Sequence, residues 1–263
     1  MRQMLIKKLL VENGQRLFEA PRRLIEFTHV KEADTLLNDL GGHPHAFVIA
    51  CVMDRQMRAE AAWLFPFRIA QKLADFDFHN LANLNLQEIR DLMTNPVPLH
   101  RFPDIMSQYF HQAIARIGAI YGGEADKIWL GKPCSAGVVY RFLQFKGIGP
   151  KIATMAANIL ARDFKIPFED YYSIDISPDV HIRRVFTRLE LVPKLATVEE
   201  LIYKARALSP EFPGLMDLPA WEIGRNWCKP KQPLCHECYV RSLCPTALKI
   251  EGGEEAWKDR GTS

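Results

Sequence analysis

The chain has 263 residues, 48% of them hydrophobic and 25% charged, with a formal net charge of only +3. That length suffices for one large domain or two small ones with a proper core, and the composition of an ordinary globular protein excludes neither a binding module nor an enzyme. So small a charge predicts no nucleic-acid partner alone, so any such surface has to come from local clustering.

No apolar run approaches a membrane span. The apolar start after Met1-Arg2 is broken by Lys7 and Lys8 and reads as no signal peptide. An intracellular, reducing setting is expected, cytoplasmic or nucleoid-associated, without disulfides. Residues 1–40 read as two helices, one carrying Met4, Leu5, Leu9 and Leu10, the other Ala33, Leu36, Leu37 and Leu40, ended by Gly41-Gly42. The unbroken apolar run Phe47–Met53 suits a buried strand or a buried helix, and the lack of a partner strand nearby favours helix. Cys51 within it reads as core. Asp54-Arg55-Gln56 forms a polar corner, and Pro66 is expected to kink or break the next helix. Residues 74–103 connect, with one short helix near Leu84–Met93, before a long helix that starts at Pro103 and buries Ile105, Met106, Phe110, Ile114 and Ile117. β signals are weak throughout, and no repeat is present.

The densest chemistry begins at Phe145-Lys146-Gly147-Ile148-Gly149-Pro150-Lys151. Two glycines make a tight turn and let another backbone come close, and Pro150 suits a first helical position. Ile152, Met155, Ala156, Ile159 and Leu160 then give the stripe of a packed helix. Helix, glycine hairpin, helix leaves unpaired N–H groups at a positive helix end, an anion site; a plain helical corner is the alternative. Lys151 falls in the first turn, where the dipole disfavours its charged form. Further on, Asp179 precedes a helix striped by Ile182, Val185, Phe186 and Leu189, and reads as an N-cap. His181, Arg184 and Arg188 share the opposite face, either solvated or facing phosphates. Thr197-Val198-Glu199-Glu200 has the form of a capping box.

Four of the six cysteines fall within 17 residues: Cys228, Cys235, Cys238 and Cys244. Thiols so crowded imply a metal, since a disulfide-stapled secreted domain does not suit this chain. Spacers of six, two and five residues leave zinc and iron–sulfur near parity. Cys134 has no assigned role.

Gly147-Ile148-Gly149-Pro150-Lys151, then Asp179-Val180-His181-Ile182, then the Cys-x6-Cys-x2-Cys-x5-Cys run resembles the endonuclease III family of helix-hairpin-helix DNA glycosylases, over about three quarters of the chain from Ala46 to Pro245. The resemblance implies an all-α, two-lobed fold: a six-helix domain at 38–163 ending in the hairpin, a discontinuous lobe of 1–37 and 164–245 carrying a [4Fe–4S] cluster, and a frayed tail at 246–263. It implies that Lys151 is a nucleophile and Asp179 a catalytic carboxylate on opposite sides of one cleft. It further implies that Gln56 fills the space of a flipped base, that Gly147 and Gly149 cradle phosphate, and that Cys228, Cys235, Cys238 and Cys244 hold the cluster. Lys229, Lys231 and Arg241 would then face the DNA backbone. The implied activity is base excision from damaged double-stranded DNA, coupled through Lys151 to β-elimination at abasic sites, by a monomer. A monofunctional glycosylase and a non-catalytic DNA-binding protein are the alternatives. Two departures stand out: Pro150 replaces an Arg usual in endonuclease III itself, and a longer segment ahead of Asp179 brings a second acid, Asp175, close to the motif.

Overall fold

A computed structural model describes residues 1–251. It is all helical: α1 (Arg2–Glu19), α2 (Lys31–Asn38), α3 (Pro44–Met53), α4 (Ala59–Leu73), α5 (Phe78–Ala82), α6 (Leu86–Thr94), α7 (Pro103–Tyr121), α8 (Ser135–Leu143), α9 (Pro150–Arg162), α10 (Val180–Arg188), α11 (Val198–Leu208), α12 (Asp217–Asn226) and α13 (Pro245–Glu251). No strand occurs among the described residues, and none of their helices is long and apolar enough to cross a membrane.

The described residues divide into two compact units, one of residues 21–169 and one of residues 1–20 with 170–251. The sequence reading divides it instead at 37/38 and 163/164. The difference lies in α2, which packs on α3 and α4, and whose buried Asp34 accepts from Thr28 N and Oγ1 at 2.8 and 2.7 Å.

In the 21–169 unit, α3 is the central rod, and every one of its residues is buried. That is why its sequence shows no amphipathic period. Phe47 packs its ring against Trp63, Trp129, Phe142 and Phe164, with centroids 5.5–6.4 Å apart. Helix α4 runs unbroken through Pro66. Expected to bury Ile105, α7 leaves it exposed and buries Met106, Phe110, Ala113, Ile114 and Ile117. Two short helices, α5 and α6, occupy the region read as holding one.

In the other unit, α1 buries Ile6, Leu10 and Gly14, a stripe at i, i+4, i+8, and exposes Met4 and Leu5. Gly14 is needed for close approach, since a Cβ there would lie 1.9 Å from the carbonyl oxygen of Leu215. Around α1 and α10, the core gathers Ile182, Val185, Phe186, Leu201, Met216, Ala220 and Ile223. Helix α11 starts with the capping box of Thr197 and Glu200. The expected frayed tail begins instead as α13, with Ala247 buried; residues 252–263 lie outside the described part.

Candidate catalytic residues and cysteine loop

The hairpin joins α8 to α9. Its apolar anchors, Phe145 and Ile148, are buried, and Ile148 N donates to Phe145 O at 3.1 Å. Gly147 has φ +92°, and a Cβ there would come within 2.9 Å of the Tyr109 ring. Conformation and space both demand glycine at this position. Gly149 differs: nothing lies within 4 Å of where its Cβ would be, so the main chain there is open to a ligand. No side chain caps α9, which leaves the amides of Lys151 and Ile152 as donors without intrahelical partners. The Lys151 side chain is exposed.

The turn after α3 borders the same patch. The Val52 carbonyl oxygen is 3.6 Å from the Gly147 Cβ position, and the Arg55 guanidinium sits 6.0 Å from the centre of the Tyr109 ring. Tyr109 thus buttresses the hairpin and flanks the turn. Gln56 is exposed with φ +54°, a left-handed conformation uncommon for a residue with a side chain. Half-buried Asp54 ends α3, and burial pushes its carboxyl above the usual range while the Lys151 charge pulls it down.

In the other unit, Asp179 caps α10, its Oδ1 accepting from His181 N and Ile182 N at 2.8 Å each. The cap predicted from the sequence is present, and it leaves Oδ2 without a hydrogen bond among the described residues. Asp175 is buried and clamped by Arg206, with Nε–Oδ1 and Nη2–Oδ2 both 2.8 Å. Both of its oxygens are thereby engaged.

Cys228, Cys235, Cys238 and Cys244 line one pocket, together with Val185, Ile223, Trp227 and Val240. Burial pushes Cys238 up to about 11 and raises Cys244 as well. Among the described residues, no three His, Cys, Asp or Glu side chains converge as a single ion needs. Arg184 and Arg188, placed by the sequence on a basic face for solvent or phosphate, instead turn onto this loop. Arg184 donates to the carbonyls of Cys228 (2.6 Å) and Gly224 (2.8 Å). Arg188 is buried and donates to those of Lys229 (2.6 Å) and Pro230 (2.8 Å). The carbonyls of Cys228, Lys229 and Pro230 accept no backbone N–H among the described residues, and the guanidinium forks satisfy them. Arginines spaced i, i+4 on the helix before a cysteine run were the available signal. Lys229, Lys231 and Arg241 are exposed, although Lys229 Nζ folds back onto the Arg225 carbonyl and Arg241 Nη1 onto that of His236 at 3.2 Å.

No family model matches the chain. Endonuclease III of Thermotoga maritima is 34% identical over 113 residues, covering 43% of this chain and 48% of that protein. Endonuclease III-like protein 1 of Gallus gallus is 28% identical over 149 residues, 54% of this chain and 45% of that one. The chain thus spans about half the length of these curated relatives. Among solved structures, a trapped endonuclease III–DNA covalent intermediate superposes with a TM-score of 0.62 at 18% identity, covering 95% of this chain and 99% of that one. A thermostable thymine-DNA glycosylase gives 0.60 at 15%, covering 92% and 97%. The chain is similar in sequence to endonuclease III and shares the all-helical fold of these solved structures. The hairpin lies in one unit of this chain, and the capping aspartate and the cysteine loop lie in the other. The endonuclease III pattern pointed to Lys151 and Asp179; it did not point to Tyr109 or Asp54. Asp54 was visible only as an acid closing a wholly apolar helix.

Proposed function

We propose that this chain is a base-excision DNA glycosylase with associated β-elimination lyase activity, acting on double-stranded DNA that carries a damaged or modified base or an abasic site. The observation that carries the reading is an exposed lysine, Lys151, in the first turn of an uncapped helix that follows a hairpin with open main chain at Gly149. Phosphate binds the free amides there, which holds the strand beside the amine. Sequence kinship with endonuclease III supports the same reading.

Chemistry at C1′ needs the nucleotide out of the stack, and Gln56, held in a left-handed turn, occupies the vacated space. Departure of the base builds positive charge on the sugar. The Asp179 carboxylate stabilises it, using the oxygen that the helix cap leaves free. Lys151, as neutral amine, forms the N–C1′ bond as the glycosidic bond breaks. Ring opening gives a Schiff base, which acidifies C2′; loss of that proton expels the 3′-phosphate. Asp175 is left out of the chemistry because Arg206 engages both its oxygens.

Four thiols around one pocket form a soft donor set, and they surround a volume rather than converging on a point. They fit a [4Fe–4S] cluster, which would cross-link the loop when bound. Arg184 and Arg188 hold the loop's carbonyls in place, leaving Lys231 and Arg241 on its surface for the DNA backbone.

Borohydride reduction on an abasic duplex tests the reading. The wild-type chain should form a covalent adduct that maps to Lys151, and Lys151→Gln should lose both adduct and strand cleavage while still binding DNA. Base release without an adduct means a monofunctional glycosylase. DNA binding with neither makes the chain a binding protein.

A further inference from the structure

We propose that Arg55 is a duplex contact and Tyr109 its positioning residue. The tyrosine ring bridges the glycine hairpin and the turn after α3, and it sets the Arg55 guanidinium to take a backbone phosphate near the one bound at α9. The contact rests on the DNA-binding reading above and adds a gripping point on the turn that carries Gln56.

Tyr109 belongs to α7, and its ring lies against the hairpin main chain. A Cβ at Gly147 would be 2.9 Å from its Cδ2 and 3.3 Å from its Cε2, with the Val52 carbonyl oxygen 3.6 Å from the same point. Ring, hairpin and the end of α3 therefore meet in one place. From the turn that follows, the Arg55 guanidinium reaches the same ring, 6.0 Å from its centre, within cation–π range. The turn itself is pinned. Asp54 N donates to Ala50 O at 3.1 Å and Arg55 N to Met53 O at 2.7 Å, and Gln56 follows with φ +54°. A guanidinium resting on a fixed ring loses less freedom on binding than one swinging in solvent.

The charges around it indicate the ligand. Elsewhere in the 21–169 unit Arg90 pairs with Asp104, Lys127 with Glu124 and Arg162 with Asp163. Arg55 is exposed and makes no ion pair or side-chain hydrogen bond among the described residues, although Asp54 is its neighbour in the chain. Lys146 and Lys151, exposed on the hairpin, likewise form no ion pair among them. In a chain of net charge only +3, such cations beside an open helix start are the local cluster that a polyanion needs. The shared ring keeps the Arg55 guanidinium within about 10 Å of the Gly147 Cβ position, roughly three nucleotide steps of ~3.4 Å along one strand. One strand can therefore engage both, and the planar fork of Arg55 suits a two-pronged hold on phosphate.

Titration of a labelled duplex over a series of salt concentrations reads the contact. Arg55→Gln should keep the fold and weaken binding to undamaged and abasic duplexes alike, by about tenfold at low salt. The slope of log affinity against log salt should shrink by about 0.9, the share of one phosphate. Tyr109→Leu removes no charge yet should shrink the slope by a similar amount, whereas Tyr109→Phe keeps the ring and should leave it unchanged. Adding Tyr109→Leu to Arg55→Gln should shrink it no further, because the ring acts through the arginine. In wild type the Arg55 Nε–Hε resonance should shift on addition of duplex. A wild-type slope in folded Arg55→Gln overturns the proposal, as does an Arg55 resonance that duplex leaves in place or a Tyr109→Leu variant with a wild-type slope. A wild-type chain that binds no duplex at all overturns the DNA reading itself, which separates the two failures.

Discussion

Arg188 Nη1 lies 3.3 Å from the sulfur of Cys228 while the same guanidinium donates to the carbonyls of Lys229 and Pro230. One buried arginine thus fixes both the first cysteine and the main chain that follows it. Such a contact places positive charge next to a sulfur that would be a thiolate if it held a cluster.

Chain purified without oxygen should be brown and carry about four irons and four sulfides. One zinc and no iron by elemental analysis would sink the cluster. Arg188→Met should lower iron content and folded yield, because it removes the donors to the Lys229 and Pro230 carbonyls and the contact with the Cys228 sulfur.

The two hairpin glycines should part company on substitution. Gly147→Ala meets Tyr109 and a positive φ, so it should lower Tm by several degrees, an effect of about 1 kcal/mol or more. Gly149→Val should fold normally and weaken binding to lesion and undamaged duplexes alike, because phosphate contacts carry no sequence information. Calorimetry and titration of a labelled duplex read the two effects separately.

Asp175 and Asp179 should fail in different ways. Asp175→Asn breaks a two-pronged ion pair on a buried acid and should destabilise the fold, by about 3–5 kcal/mol where the pair is fully enclosed and less here, since Arg206 is partly exposed. Asp179→Asn retains a capping side chain and should keep its Tm. It should nevertheless slow base release by orders of magnitude. Thermal melts alongside base-release kinetics distinguish the two; equal melts and equal rates would contradict both assignments.

His45 supplies a pH dependence. It is buried in the 21–169 unit with a ring nitrogen 2.7 Å from the Phe76 carbonyl, and burial depresses it below 6.5. Below 6.5 the unfolded chain binds a proton that the folded chain refuses, so stability is retained above 6.5 and lost as pH falls towards the folded value. Denaturant melts from pH 7.5 down to 5 should show this loss, and His45→Gln should flatten it.

Much of this was readable beforehand because it follows from local rules. The turn at Gly147, the first-position Pro150, the cap at Asp179 and the box at Thr197 are each set within a few residues of chain. Tertiary packing decided the rest. Burial on all sides hid the period of α3, and α4 carried Pro66 because its neighbours α2 and α3 hold it. Arg184 and Arg188 look like a solvated basic face until the cysteine loop, some forty residues later, comes to lie against them.

Helix α1 finds its partners very late. Gln3 Nε2 donates to the carbonyl of Glu190 at 2.7 Å, and Lys204 Nζ donates to Gln3 Oε1 at 3.2 Å, while Gly14 waits for Leu215. During synthesis α1 therefore stays unpaired, with Ile6 and Leu10 uncovered, until residues 190–215 have emerged. The 21–169 unit meets no such delay and is free to fold during synthesis. Proteolysis of ribosome-arrested chains ending near residue 195 should find α1 still cleavable and α3 already protected. During that interval the exposed stripe of α1 is the natural place for a chaperone to bind.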